Sequence, residues 1–161
     1  MNFPRAFFFF FACCCVALMG ATTGADLRGA SLRFTYGNST YEINENLAGW
    51  VQAKNDCRSR GMGLVSIESA EEHYAILEYI TDYTGGRFWT SGSDIEQEGD
   101  FYWEATGALL SYTNWAAGQP NNYLEGHCVE ITDQYAYQWN DVTCTDPIMY
   151  ICESQSCVAL H

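Results

Sequence analysis

Gln119-Pro120-Asn121, Glu125 and Asn140-Asp141 bring amide, carboxylate and backbone carbonyl oxygens together from two places in the chain, each close to a cysteine. Such a set suits a hard divalent cation. Calcium takes roughly six to eight oxygens in a flexible cage and accepts amides and backbone carbonyls among them. A proline between two ligand residues can adopt the cis form, which turns both neighbouring side chains to one side of a tight bend. Trp139, directly before Asn140-Asp141, would bury and fix the strand that presents the second pair. Each short motif is weak alone, because Asn- and Asp-rich segments are ordinarily turns. In this order, flanked by Cys128 and Cys144, they point to one site.

Catalysis has no comparable support. The histidines are His73, His127 and His161, and none neighbours a nucleophile signature such as GxSxG. Paired carboxylates for glycoside hydrolysis carry no motif here. Acidic residues outnumber basic ones by 20 to 7, for a net charge of −13. That balance repels phosphate backbones and disfavours nucleic acid and anionic membranes as partners. Aromatics at 16% are too many for a disordered chain and suit a small core with aromatic contacts to ligand.

The elements that must position these groups follow from the pattern. Residues 34–43 are rich in Tyr, Phe and Thr and read as a strand interrupted by Gly37, with an N-glycosylation acceptor at Asn38-Ser39-Thr40. Asn46 can cap a helix from Leu47 to about Arg60, with Leu47, Trp50, Ala53 and Cys57 on one face and Gly61 as its stop. Residues 64–67 read as a short buried strand. Ser69-Ala70-Glu71-Glu72 is a capping box that opens a second helix, with Ala75, Ile76, Tyr79 and Ile80 inward and Gly85-Gly86 at its end. Short runs at 88–91, 101–103, 128–132, 137–139 and 150–153 read as strands. The long polar stretch between Trp103 and Cys128 reads as a functional loop. Five tryptophans, Trp50, Trp89, Trp103, Trp115 and Trp139, read as core.

Length suggests one domain, in the range of roughly 100–200 residues. Residues 1–24 read as a cleaved signal peptide, cut between about 20 and 25, because the apolar run from Phe7 to Leu18 is shorter than the roughly 18–20 residues that span a bilayer. No later segment is apolar enough to span. Of eight cysteines, three lie in that leader, leaving Cys57, Cys128, Cys144, Cys152 and Cys157. In an oxidising compartment these read as disulfides, with one cysteine free or bridging to another chain.

From about Thr35 to Glu153 the chain resembles the C-type lectin-like domain, most of all the secreted single-domain lectins of arthropods. The matching marks are the helix ending at Cys57, Leu64-Val65-Ser66-Ile67, Phe88-Trp89-Thr90-Ser91-Gly92, Glu98-Gly99, Asn114-Trp115, Cys128-Val129-Glu130-Ile131, Trp139-Asn140-Asp141 and Tyr150-Ile151-Cys152-Glu153. The resemblance implies an α+β fold, two helices flanking short antiparallel sheets with a long loop region. It places an N-terminal segment at 25–33, a carbohydrate-recognition domain at 34–154 and a tail at 155–161 with the odd Cys157. It implies pairing of Cys57 with Cys152 and Cys128 with Cys144, and a possible homodimer bridged through Cys157.

The principal calcium site of the family maps to Gln119, Asn121, Glu125, Asn140 and Asp141. In the family, sugar hydroxyls complete the calcium shell while hydrogen-bonding the same protein ligands. The partners implied are glycans on cell or microbial surfaces, in innate defence. A Glu-Pro-Asn triplet goes with mannose-type ligands and Gln-Pro-Asp with galactose-type. Gln119-Pro120-Asn121 is a hybrid, and Tyr123, placed to stack on a sugar's apolar face, tilts the expectation towards galactose. Two departures stand out. Glu125 lies one position earlier than the family's acidic residue before the cysteine, where this chain has Gly126. Asp94 and Glu98 match an auxiliary calcium site, but Asn122 stands where a carboxylate would help, and His127 reads as a hydrogen-bonding residue. The competing expectation is a domain of the same fold that binds protein or serves a structural role without calcium or sugar.

Overall fold

The computed structural model describes residues 31–83, 86–121 and 126–155. The expected leader, most of the segment at 25–33, Gly85, Asn122, Tyr123, Glu125 and Cys157 lie outside the described residues.

The chain begins with a hairpin of β1 (Leu32–Tyr36) and β2 (Ser39–Ala48). The expected single strand is therefore two, folded back at Gly37, whose φ of 57° is the left-handed value that a tight turn requires. Asn38 sits exposed in that turn. Helix α1 covers Trp50–Ser59, and its N-cap is Gly49 without a side-chain cap. The Asn46-capped start at Leu47 is thus corrected. Residues through Ala48 pair with the C-terminal strand, Ala48 opposite Ile148, and this ladder holds them extended. Leu47 is left exposed. The first helical amide, Trp50 N, bonds to Cys144 O at 2.8 Å.

Strand β3 is only Gly63–Leu64. Val65, Ser66 and Ile67, expected within the same strand, are buried but leave the ladder, with Val65 held by single bonds to Ile151 and Ser91. Helix α2 (Ala70–Ile80) opens as expected, with Ser69 Oγ accepting from Glu72 N at 3.1 Å. Glu72 reaches back one residue further than the capping box requires, accepting from Glu68 N and from the Tyr41 hydroxyl. Ile76 and Ile80 are buried with His73, while Ala75 is only half-buried.

The remaining strands are β4 (Arg87–Ser93), β5 (Tyr102–Trp103), β6 (Ala108–Leu109), β7 (Cys128–Thr132), β8 (Gln138–Val142) and β9 (Ile148–Gln155). They and the first three form one sheet, ordered β1-β2-β9-β4-β5-β6, with β7 on β4 and β8 on β7. All pairs are antiparallel except β4 with β9, so the sheet is mixed rather than purely antiparallel. Gly92 in β4 lets the strands close up: a Cβ there would lie 2.9 Å from Val129 and 3.1 Å from Trp103. Strand β6 is regular structure inside the stretch expected to be loop.

Two apolar clusters fill the interior. One runs from Phe34 and Tyr41 through Ile76 and Phe88 to Trp103 and Trp139. The other holds Trp50, Trp89, Tyr150 and the cysteines, where Cys57 is bonded to Cys152 and Cys128 to Cys144, the pairing the resemblance implies. Of the five tryptophans only Trp115 is less than fully buried, and it packs against Phe101 and Trp139. No helix among the described residues is long and apolar enough to cross a membrane.

Candidate metal centre

Strand β8 carries Asn140 and Asp141 within its ladder, not after it. Trp139 faces Ile131, Asn140 faces Glu130 and Asp141 faces Val129 on β7. Trp139 is completely buried and meets Trp103, Tyr112 and Trp115 edge to face at 5.4 to 5.8 Å. Its indole N–H donates to His73 Nδ1 at 3.4 Å. Trp139 also organises the loop through its backbone, since its N–H donates to Asn114 O at 2.8 Å and its carbonyl accepts from Ala116 N at 2.9 Å. Gln119 N then closes a turn onto Ala116 O. The Gln119–Pro120 bond is cis, the form a proline between two ligand residues can adopt.

These anchors bring the loop to the strand. Asn121 N donates to Asp141 Oδ1 at 2.9 Å, and Asp141 is buried. Gln119 and Asn140 are half-buried, and Asn121 is exposed. Two side-chain oxygens here, Gln119 Oε1 and Asn140 Oδ1, are buried and accept no hydrogen bond. A buried acceptor without a donor costs on the order of 1–3 kcal/mol. A cation removes that cost, so two unpartnered neutral oxygens beside a buried carboxylate fit a calcium ion. The structure therefore brings Gln119, Asn121, Asn140 and Asp141 together. Glu125 and Tyr123 lie outside the described residues.

Asp94 and Glu98 meet at a different point. Asp94 is buried, its Oδ2 accepts from Gly99 N, and its Oδ1 lies 3.0 Å from His127 Nδ1. Glu98 Oε2 is 3.6 Å from the same nitrogen. His127 is thus a hydrogen-bonding residue, and it ties the 94–99 loop to the start of β7.

One contributor escaped sequence reasoning. Glu130 is 2% exposed, and its Oε1 accepts from Asn140 Nδ2 at 3.0 Å while its Oε2 accepts from Arg87 Nε at 2.7 Å. Arg87 continues to Asp146 Oδ2 at 2.9 Å. Burial works against the Arg87 charge, but the two carboxylates outweigh it and raise the guanidinium pKa. The signal was present in the sequence: Glu130 interrupts the apolar and β-branched run Cys128-Val129-Glu130-Ile131-Thr132, and a charge inside a run that folds as a buried strand demands a partner.

The sequence matches the Lectin C-type domain family over residues 46–154. It is 32% identical to the Perlucin-like protein of Mytilus galloprovincialis over 120 residues, 73% of this chain and 77% of that one. It is 34% identical to the C-type lectin mosGCTL-7 of Aedes aegypti over 121 residues, 70% of this chain and 81% of that one. Among solved structures it resembles the mouse Scavenger Receptor C-type Lectin carbohydrate-recognition domain, with a TM-score of 0.71 at 29% identity, covering 80% of this chain and 97% of that one.

Proposed function

This chain belongs to the C-type lectin domain family, a family of carbohydrate-binding rather than catalytic domains, and on that premise we propose that it is a secreted, calcium-dependent lectin with a preference for galactose-type over mannose-type ligands. The observation that carries this reading is the pair of unpartnered buried oxygens, Gln119 Oε1 and Asn140 Oδ1, set beside Asp141. Gln119, Asn121, Glu125, Asn140 and Asp141 would hold the ion. When bound, calcium supplies open coordination positions that neighbouring sugar hydroxyls fill. The chain's own residues do the rest. The Asp141 carboxylate and the amide oxygens set the cage, the amide N–H groups of Gln119 and Asn121 donate to the hydroxyls, and Tyr123 offers an aromatic face. Glycans on cell or microbial surfaces are the class of partner, and innate recognition is the setting.

The test is calorimetry with calcium, followed by retention on galactose and mannose resins with calcium and again with chelator. Retention that requires calcium, stronger on galactose, is the expected result. A folded protein that takes up no calcium at millimolar concentration would sink the reading in favour of a protein-binding or structural domain. Asp141→Asn keeps an acceptor for Asn121 N–H but removes a carboxylate from the cage, so calcium affinity should fall by roughly tenfold or more with the fold intact.

Monosaccharide affinity at one shallow site is weak, and pairing of sites would raise it by avidity. Cys157 is the route to a disulfide-linked homodimer, and Asn38, exposed in its turn, is the site for an N-linked glycan. A non-reducing gel of the secreted protein tests both. It should show a dimer band lost in Cys157→Ser and a glycosidase-sensitive shift lost in Asn38→Gln; a monomer band without such a shift removes both assignments.

A further inference from the structure

The first hairpin carries a hollow that none of the functions above uses. Gly37-Asn38 joins β1 to β2, with Tyr36 paired to Ser39 across the turn. Tyr36, Asn38 and Ser39 line a cavity of about 330 Å³, together with Glu68, Glu72 and Glu153. Its walls are of two kinds. Tyr36 lies on the same face of β1 as Phe34, two residues earlier. Phe34 is buried and stacks on Tyr41 and Tyr79, whereas Tyr36 is left 40% exposed. The apolar face of β1 thus runs past the point where the core covers it.

The other walls are hydrogen-bond acceptors. Glu153 accepts from Ser39 Oγ at 2.7 Å on one oxygen and from Ser66 N at 3.1 Å on the other. Glu72 accepts from the Tyr41 hydroxyl and from Glu68 N. A carboxylate offers about four lone-pair positions, so each of these has capacity left. Burial, aided by the charges of Glu72 and Glu68, raises the pKa of Glu153. Three carboxylates around one hollow repel anions and favour a neutral occupant with several O–H or N–H groups and one apolar face.

An N-linked glycan places such a group at the wall itself. Its first residue, N-acetylglucosamine, is neutral, has hydroxyls and an acetamido N–H, and is bonded to the side-chain nitrogen of Asn38. Since Asn38 lines the cavity, the contact costs none of the entropy of bringing two molecules together. We infer that this hollow seats the protein's own first N-acetylglucosamine, whose apolar face stacks on Tyr36 and whose N–H and O–H groups donate to Glu68 and Glu153. The inference rests on the glycan assigned to Asn38 above and is independent of calcium and of sugar recognition. The seated sugar covers the open end of the β1–β2 hairpin and ties it to the segment before α2 that carries Glu68.

Secreted protein from cells restricted to oligomannose glycans supplies the test in three forms. These are the full glycan, the glycan trimmed by endoglycosidase to its first sugar, and the bare variant Asn38→Gln. The mass of the secreted chain reports whether Asn38 is occupied. The full and trimmed forms should share one Tm, about 2–6 °C above Asn38→Gln, the gain that one added aromatic contact gives in a domain of this size. Tyr36→Thr keeps a β-branched residue on the strand and removes the ring, and there the gain should fall to about a third or less. Comparing the two gains cancels whatever Asn38→Gln does by itself. Ring protons of the first sugar in the trimmed form should also shift upfield by NMR, and the shift should vanish in Tyr36→Thr.

An occupied Asn38 that gives no gain, or the same gain in Tyr36→Thr, would overturn the seat and leave the glycan assignment standing. A secreted chain without the mass of a glycan overturns both. If Tyr36→Thr does not fold, the sugar protons of the trimmed wild type decide, and unshifted signals refute the seat.

Discussion

Replacing Cys57 and Cys152 together by alanine is expected to cost about 4–5 kcal/mol of folding stability, and replacing Cys128 and Cys144 about 3 kcal/mol. The order follows from loop length. The first bridge closes 95 residues and the second 16, and the entropy that a cross-link removes from the unfolded chain grows with the logarithm of that number. Domains of this size are stable by roughly 5–15 kcal/mol. Loss of the long bridge therefore leaves a marginal fold, in which α1 is no longer tied to the C-terminal strand. The short bridge has a different consequence. It joins the start of β7 to the chain just beyond β8, and so frames Glu130, Trp139, Asn140 and Asp141. If the proposed site is right, its removal should weaken calcium and sugar binding more than its effect on stability implies, because the groups it holds are those of that site. Urea unfolding of both double variants gives the stability order, and calcium calorimetry on the folded Cys128/Cys144 variant gives the second effect. A larger stability loss from the short bridge would contradict the loop argument.

The parts of the fold legible in the sequence were those fixed by local periodicity and by turn chemistry. Helix α2 announces itself through Ser69, Glu72, Ile76 and Ile80; Ser69 caps it and Ile76 and Ile80 are buried as their spacing suggests, while Glu72 turns to Glu68 N instead of Ser69 N. The start of α1 was not legible, because what holds residues 44–48 extended is a pairing with β9, some hundred residues later in the chain. Strand β8 ends three residues beyond the run at 137–139 that the sequence suggests, for a related reason. Asn140 and Asp141 have poor strand propensity, and only the opposing residues of β7 keep them in the ladder. At the proposed site, Gln119, Asn121, Asn140 and Asp141 stand out in the sequence only as a set, because each short Asn- or Asp-bearing motif is by itself an ordinary turn. Which end of an amide faces which neighbour is not a property of residue type. It depends on Glu130 and Arg87, from two other strands, and needed the structure.

His73 gives the second large effect, and it reaches the site through Trp139. The imidazole is 1% exposed, with Trp139 Nε1 donating to Nδ1, the Asn114 amide 3.1 Å from Nε2, and the rings of Tyr74 and Tyr112 nearby. Burial lowers its pKa from 6.5 to about 4, outweighing a backbone hydrogen bond with Tyr137 that acts in the opposite direction. Between those two values the unfolded chain holds a proton that the folded chain does not. The stability is therefore complete above about pH 6.5 and is lost as pH falls towards about 4, by about 3 kcal/mol in total. Below that, His73 adds nothing further. His73→Gln retains an acceptor for the Trp139 indole and removes the titration. Urea unfolding in chelator, which takes calcium linkage out of the comparison, should show the wild type losing about 3 kcal/mol more than this variant between pH 7 and pH 4. Equal losses would remove His73 as the cause. The same pair of proteins separates two routes by which acid could release a ligand. Competition of protons with a bound cation at the proposed site would act directly and should persist in His73→Gln. Protonation of His73 breaks the bond that anchors Trp139, the residue that sets both the 114–119 turn and the strand carrying Asn140 and Asp141, and that part should vanish with the substitution.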